Sequence, residues 1–201
     1  MIVALLLSLT TLPPANELAR RYADAVVVVD HDDDGPGPHG VQHSQGFFVS
    51  SSGLLCTVLP QAVVGDVVVV VGAARWRGTV VAVDDEGLAL VSVPLDPTAP
   101  VAALGLSGDG ARSRWLVGLM RDARGVSAVV GGEEENGLLL PVPRGAPVFN
   151  ADNVVVAVAR RSRGGGAIAV IDIDRLKALA TTWQKSTTTQ APPVVSGVVA
   201  R

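Results

Sequence analysis

The chain has few cysteine and aromatic residues, and its net charge is small. Its 201 residues include 1 cysteine, and only 3% of them are aromatic. The lone Cys56 cannot form an intrachain disulfide, which excludes the disulfide framework typical of small secreted domains. The formal net charge is 16 minus 19, or -3, so there is no general basic field for nucleic acid or an anionic membrane surface. An aliphatic core must therefore hold the fold.

Histidine is also scarce, and its placement is uneven. The 3 histidines are His31, His39 and His43, and no histidine follows them in the sequence. The residues between Asp30 and Ser44 are otherwise mostly turn formers and acidic side chains. This composition predicts an exposed, acidic surface loop. Any general-base chemistry by imidazole is confined to this one segment.

What the chain does have is aliphatic residues in short runs. Hydrophobic residues make up 48% of the sequence, enough for one sizeable core or two smaller cores in contact. Runs rich in valine and leucine alternate with Ser-Gly, Gly-Ala and Glu-Gly turns, a pattern typical of β-strands. Helical spacing occurs only ahead of Val26 and from Ile173 to Trp183. We therefore predict an all-β fold with a short N-terminal helix and a C-terminal helix.

The first residues of the chain, 1–15, are uncharged and largely apolar. The run is too short to span a bilayer as a helix, which needs about 20 apolar residues. It ends in two prolines and an alanine, as a signal peptide ends in small residues, although the basic segment that opens such a peptide is missing. We expect export to the periplasm or the extracellular space, with a cytoplasmic location as the alternative.

Composition divides the rest of the chain into three parts. A proline-rich link, PLDPTAP, separates a first β-rich half, residues 16–97, from a second half, residues 98–180, that includes the C-terminal helix. The remaining residues, 181–201, are rich in threonine, proline and small side chains without a period, which predicts a flexible tail.

Three motifs stand in order along this β pattern. They are QGFFVSSSGLLCTVLPQAVV (Gln45 to Val64), DEGLALVSV (Asp85 to Val93) and PVPRGAPVFN (Pro141 to Asn150). They resemble the first barrel, the strand of the catalytic aspartate and the nucleophile loop of a trypsin-like (chymotrypsin-fold) serine protease of the HtrA/DegP type. Weaker similarities in the family's order extend this resemblance over residues 16–180. The resemblance implies two six-stranded antiparallel β-barrels.

The resemblance also implies that the catalytic residues are missing. It places the family's histidine on Pro60, its aspartate on Gly87 and its serine on Arg144. Acyl transfer needs a nucleophilic hydroxyl, a base and a group that orients the base, and none of these three residues supplies one. The oxyanion donors would come from Val142 and Arg144, and Pro143 biases Val142 towards extended conformations. The catalytic triad and the oxyanion loop are thus both degenerate.

These observations predict a catalytically inactive homologue of the trypsin-like serine proteases. We expect it to act as a binding or scaffold protein of the bacterial envelope and to need no cofactor. Its partner is expected to be a protein or a peptide, whereas neither nucleic acid nor a membrane span is expected. The fold alone does not define the partner, and the oligomeric state stays open.

One alternative is an active serine endopeptidase with relocated catalytic residues. It would place one of the histidines beside Ser44, Ser127 or another hydroxyl, with a carboxylate from Asp32 to Asp34 behind it. The spacing permits this arrangement, but general-base catalysis depends on geometry before residue type.

A second alternative is a metal-binding or small-ligand-binding module that uses the segment from His31 to His43. His31, Asp33, His39 and His43 are residue types that bind zinc and similar ions. However, no helical pair or CxxC motif fixes their spacing, and glycines and prolines lie between them. A solvated acidic loop is the favoured interpretation.

Overall fold

A computed structural model of the chain describes residues 15–32, 41–60, 65–95, 103–106, 115–134, 137–162 and 167–189. Several sequence predictions fall outside these ranges, namely those on residues 1–14, on Asp33, Asp34 and His39, and on residues 190–201. The described part is mostly β, with 12 strands and two helices. Within it, neither helix combines the length and the apolar character needed to cross a membrane.

The elements follow the predicted order of a helix, strands and a closing helix. The first half contains α1 (Ala15–Arg21), β1 (Val26–Asp32), β2 (Val41–Phe48), β3 (Leu54–Val58), β4 (Asp66–Val71), β5 (Ala74–Val83) and β6 (Leu88–Ser92). The second half contains β7 (Trp115–Asp122), β8 (Gly125–Glu134), β9 (Gly137–Leu139), β10 (Pro147–Phe149), β11 (Val155–Ser162), β12 (Ala167–Asp172) and α2 (Ile173–Thr189).

Strands β1 to β6 form a closed antiparallel barrel in the order β1-β2-β3-β6-β5-β4. The ring closes where β1 pairs with β4, with Val28 opposite Val70. Valine alternation places every second side chain of β1 and β4 inside, where these residues pack with phenylalanine and leucine from the other strands. The prediction of a closed six-stranded barrel in the first half is confirmed. Its buried interior contains Val27, Val29, Phe48, Leu55, Leu59, Val67, Val69, Ala89, Val91 and Val93.

Strands β7 to β12 form a second antiparallel sheet with neighbours in the order β10-β11-β12-β9-β8-β7. Strand β10 also pairs with β7, with Val148 opposite Gly118 and Phe149 opposite Val117. The side chains inside this sheet are smaller than those of the first barrel. A Cβ added to Gly118 would lie 2.6 Å from Val142 Cγ1, so glycine is needed for this packing. The described buried interior contains Leu140, Val142, Ala146, Val148, Ala157 and Ala159.

A third, shared core joins the two sheets. Tyr22, just after α1, stacks on Phe149 of the second sheet with the ring centroids 5.5 Å apart. Arg121 of β7 donates from Nε to the carbonyl oxygen of Val26, at 2.5 Å, and from Nη2 to that of Ala23. Partial burial lowers the pKa of Arg121, and the charge of Asp24 opposes this shift. Both halves are therefore packed and hydrogen-bonded to each other.

Helix α2 closes the chain against this shared core. The Asp172 carboxylate accepts the backbone N–H of Asp174 at 2.9 Å, which caps the helix. Leu176 is fully buried on its apolar face. The helix continues to Thr189, although the sequence predicted a flexible tail from residue 181. Thr181 and Thr182 donate their hydroxyls to backbone carbonyls one turn earlier, so these threonines are accommodated within the helix.

The predicted exposed loop from His31 to His43 is wrong at both ends. His31 lies in β1 and is buried, while His43 lies in β2. Strands β1 and β2 pair without interruption from Val26 opposite Phe47 to Asp32 opposite Val41. Cross-strand pairing and side-chain contacts outweigh the low strand propensity of the Asp and His residues, because strand propensity is itself largely a matter of packing.

Candidate functional site

Pro60 and Gly87, the degenerate histidine and aspartate positions, lie beside each other. Pro60 is half-buried and follows the end of β3, and Gly87 is buried in the turn between β5 and β6. The backbone N–H of Leu59 donates to the carbonyl oxygen of Gly87 at 2.8 Å. The resemblance implies this neighbourhood, since a catalytic base and its orienting carboxylate must be in contact.

The backbone at Gly87 leaves no room for a side chain. Its φ is +83°, in the left-handed region, and a Cβ built there would lie 2.3 Å from the carbonyl oxygen of Leu59. The turn is held in this shape by Asp84, whose Oδ1 accepts the N–H groups of Glu86 at 2.8 Å and Leu88 at 2.9 Å. An aspartate could not replace this glycine without a shift of the backbone.

The Arg144 turn, the degenerate nucleophile position, rests on the first barrel. The carbonyl oxygen of Arg144 accepts the N–H of Gln45 at 2.7 Å, and the N–H of Gly145 donates to Ala159 at 2.6 Å. A Cβ on Gly145 would lie 1.8 Å from the carbonyl oxygen of Gln45 and 3.1 Å from Thr57 Oγ1. Thr57 itself donates its hydroxyl to that same carbonyl, at 2.6 Å. The structure thus brings the nucleophile loop against the strand that leads to Pro60.

The oxyanion loop does not offer the donor that the family uses. The N–H of Val142 donates to the carbonyl oxygen of Leu140 at 2.8 Å, and the Val142 side chain is buried. The carbonyl oxygen of Pro143 accepts the N–H of Ala146 at 3.2 Å, so the loop closes on itself. Oxyanion stabilisation requires N–H groups directed at the incoming oxygen. At Val142 this requirement is not met.

An acidic turn next to Gly87 is clamped by arginines from the second half. Arg175 of α2 donates to Asp84 at 3.1 Å and to Glu86 at 2.9 Å, and it also pairs with Asp85. Arg160 of β11 donates to Glu86 at 3.1 Å. Desolvation lowers the pKa of Arg175, but the carboxylates of Asp84 and Asp85 raise it by more, so the net shift is upward. These ion pairs bridge the two halves beside the degenerate aspartate position.

The structure brings together one pair of the proposed relocated triad. His31 Nε2 lies 3.3 Å from Ser44 Oγ, and the two residues are 3% and 2% exposed. Both point into the first barrel, on the same face as the inward Val29. Ser127 lies on β8, in the other sheet. A peptide bond therefore has no access to the hydroxyl of Ser44 in this conformation.

A second histidine contact was missed by the sequence reasoning. His43 Nδ1 lies 2.8 Å from Asp30 Oδ1, and Arg75 donates to Asp30 Oδ2 at 2.9 Å. Among the described residues, Asp30 is therefore a carboxylate that meets a histidine, whereas Asp33 and Asp34 of the predicted set lie outside the described residues. The pairing of β1 with β2 places His43 opposite Asp30, and directly paired residues share a face of the sheet.

Neither a metal centre nor a reactive thiol is evident in the described part of the chain. Within the described ranges, no three His, Cys, Asp or Glu residues are grouped so that they could hold a metal ion. Cys56 is fully buried, and this burial raises its pKa, with the charge of Asp84 adding to the rise. Because the thiolate is the nucleophilic form, Cys56 is inert in the folded state.

Comparison with protein-family models and with curated proteins finds no match for this chain. Its functional class therefore rests on the fold and on the geometry of the site. A closed six-stranded antiparallel barrel followed by a second six-stranded antiparallel sheet is compatible with a trypsin-like fold.

Proposed function

We propose that this chain is an inactive, trypsin-like serine protease homologue of the HtrA/DegP type that works by binding. In this proposal the two sheets are the two β-barrels of the fold, and the pairing of β10 with β7 supports a barrel in the second half. The shared core between the sheets and the closing helix α2 agree with the same architecture. The protein would bind a protein or peptide partner, or serve as a scaffold for one.

The convergence of the three motif segments is the observation that carries the proposal. Leu59 is hydrogen-bonded to Gly87, and the turn at Arg144 and Gly145 packs against Gln45 of the first barrel. These segments are far apart in the sequence, yet the Gly87 turn and the Arg144 turn both contact the segment from Gln45 to Pro60. In this proposal proline, glycine and arginine stand at the positions of the family's histidine, aspartate and serine.

Physical chemistry argues that this site does not cleave peptide bonds. Pro60 has no proton-accepting side chain, Gly87 has none at all, and the guanidinium of Arg144 is always protonated at neutral pH. The backbone adds two further obstacles, since Gly87 has no space for a Cβ and the N–H of Val142 is already bonded. Replacing the three side chains alone would not restore the machinery.

The second candidate is an endopeptidase with a relocated nucleophile, which the contact between His31 and Ser44 favours. This candidate requires the first barrel to open, because both side chains are buried. A metal-binding module is not favoured, because His31 points into the barrel while His43 pairs with Asp30 on its outer face.

The bacterial envelope is the proposed location. The apolar segment at the N-terminus and the resemblance to exported proteases support it. A protein that binds polypeptides without cleaving them could act there as a scaffold or an adaptor, since a fold can lose its chemistry and keep a recognition surface.

Unfolded, fluorescently labelled casein tests hydrolysis and binding together. We expect the labelled casein to stay intact on electrophoresis while its fluorescence anisotropy rises as the protein is added. Ser44→Ala and Arg144→Ala are the matched variants, because each removes the polar group of one nucleophile position. Cleavage that disappears in Ser44→Ala but persists in Arg144→Ala would replace the proposal with the relocated endopeptidase.

A further inference from the structure

The outer face of the first barrel carries a row of side chains unlike the rest of its surface. His43, Asp30, Val68 and Arg77 stand directly opposite one another across β2, β1, β4 and β5. Arg75 lies two residues before Arg77 on β5, so it points to the same side of the sheet. We call these five residues the arginine face.

A groove of about 360 Å³ runs along this face. Its centre is apolar, because Val68 is exposed there. Val41, two residues before His43 on β2, is also exposed. The half-buried Trp76 is opposite the inward Val69, so it belongs to the inner face of the barrel and only borders the groove. Arginine is among the residues enriched where proteins bind polypeptides. The residues that line the groove are Asp66, Val67, Val68, Arg75, Trp76 and Arg77.

Asp30 holds two of the donors of the arginine face in place. Its carboxylate is only 10% exposed, and one oxygen accepts from Arg75 while the other lies 2.8 Å from His43 Nδ1. Because a carboxylate only accepts, His43 donates from Nδ1 and its Nε2 remains on the exposed side. Arg75 and His43 are fixed from below by this contact, which lowers the conformational cost of binding a ligand.

Asp66 does the same for Arg77. The Nε of Arg77 donates to Asp66 Oδ2 at 2.6 Å, and Thr79 donates to Asp66 Oδ1 at 3.0 Å. The hydrogen bond from Thr79, followed by that from Arg77, lowers the pKa of Asp66, so this carboxylate is ionised at neutral pH. Arg77 is thus oriented on β5 while its side chain stays exposed.

The two guanidinium groups of this face are exposed donors, whereas the carboxylate of Asp30 lies below them and that of Asp66 is 36% exposed. The side chains of Arg75 and Arg77 are 65% and 80% exposed, and each guanidinium carries five N–H groups, more than its aspartate partner uses. Two arginines and two aspartates sum to zero formal charge, so the face is not a broad positive field of the kind that holds nucleic acid. A planar guanidinium group with unused N–H groups can instead bind an individual carboxylate through hydrogen bonds.

We propose that the arginine face binds a polypeptide segment in which acidic side chains flank an apolar one. The carboxylates of that segment would bind Arg75 and Arg77, and its apolar side chain would pack in the groove over Val68. This surface is formed by β1, β2, β4 and β5, whereas the degenerate catalytic positions lie on the segments around Pro60, Gly87 and Arg144. The proposal therefore stands whether or not the catalytic positions hydrolyse peptide bonds.

A fluorescein-labelled peptide of alternating glutamate and valine is the probe, and the same peptide with lysine in place of glutamate is its control. We expect anisotropy to show binding of the glutamate peptide alone. Arg77→Gln should weaken this binding roughly tenfold, because it removes a charge-assisted hydrogen-bond donor. Arg124→Gln is the matched control, since Arg124 is equally exposed but lies in the turn between β7 and β8.

A second variant protects the test against effects on folding. Val68→Thr keeps the β-branched shape of a strand residue and should weaken binding by removing apolar contact, while the melting curve stays close to that of the parent protein. Equal affinities for Arg77→Gln and Arg124→Gln would overturn the proposal, as would the absence of binding. Tighter binding of a single-stranded oligonucleotide than of the glutamate peptide would also overturn it. Casein cleavage is measured separately, so the two proposals can fail independently.

Discussion

The two sheets of this protein differ in how regular they are. The first barrel is closed, its shortest strands have 5 residues, and phenylalanine, leucine and valine fill its interior. The second sheet contains two strands of 3 residues, and alanines occupy several described interior positions. Its described strands also show two register shifts, against one in the first barrel. The first barrel is therefore the more regular of the two, and the second sheet packs against it through the shared core.

The Arg144 turn illustrates how the two halves depend on each other. The Arg144 turn belongs to the less regular half, and it is seated on Gln45 and Thr57 of the regular half. The turn therefore has a structural task, because it joins the two halves. Our proposed function assigns no chemistry to its side chains.

Gly145→Ala should break the contact between the halves and have the largest effect. The substitution combines a positive φ of 82° with a Cβ placed 1.8 Å from the carbonyl oxygen of Gln45. We expect a loss of more than about 3 kcal/mol in the free energy of unfolding, measured by urea denaturation.

Gly72→Ala is the control for backbone strain alone. Gly72 also has a positive φ, of 59°, but nothing lies within 4 Å of the Cβ that alanine would add. We expect a loss of about 1 kcal/mol, the usual cost of the left-handed conformation. Similar losses in the free energy of unfolding for Gly145→Ala and Gly72→Ala would show that the Arg144 turn does not pack against the first barrel.

A matched pair of leucine truncations should sharpen the contrast between the two interiors. Leu55 lies inside the closed barrel on β3, and Leu140 lies in an irregular segment inside the second sheet, and both are fully buried. Leu55→Ala should cost about 4 kcal/mol and Leu140→Ala about 3 kcal/mol, because the irregular surroundings collapse more readily around a cavity. Urea denaturation of both variants checks the order, and a larger loss for Leu140→Ala would reverse the comparison.

Removing the ion pairs of Arg175 should have the smallest effect on stability. Arg175→Met removes the ion pairs of α2 with the turn at Asp84, Asp85 and Glu86, which are partly exposed and therefore screened by salt. We expect a small drop in melting temperature at low salt that shrinks as salt is added. Lys177→Met is the control, since Lys177 pairs only within its own helix, with Asp174 at 3.5 Å. Equal salt dependence for both variants would mean that the ion pairs of Arg175 do not stabilise the contact between the halves.

The sequence predicts most of the strands, because strong local patterns specify them. The valine runs of β1 and β4 and the turn at Gly53 are where the pattern places them. The N-terminal cap of α2 is also a local signal, and Asp172 supplies it. The three degenerate positions follow from motif order, and the structure places their segments in contact.

The rest depends on contacts that no local pattern records. His31 and His43 lie among residues of low strand propensity, and only the register of β1 against β2 reveals that one is buried and the other pairs with Asp30. The lack of space for a Cβ at Gly87 comes from its approach to Leu59, which lies in another part of the chain. Long-range pairing therefore decides the features that matter most for function.

Fluorophosphonate labelling of the purified wild-type protein, measured by intact mass with active trypsin as the positive control, tests the central claim most directly. An activated serine attacks the probe and gains its mass, whereas an ordinary hydroxyl does not react. We predict an unchanged mass, because the residues at Pro60, Gly87 and Arg144 cannot activate a nucleophile. A wild-type mass increased by one probe adduct, mapped to a serine, would contradict the inactive-protease account.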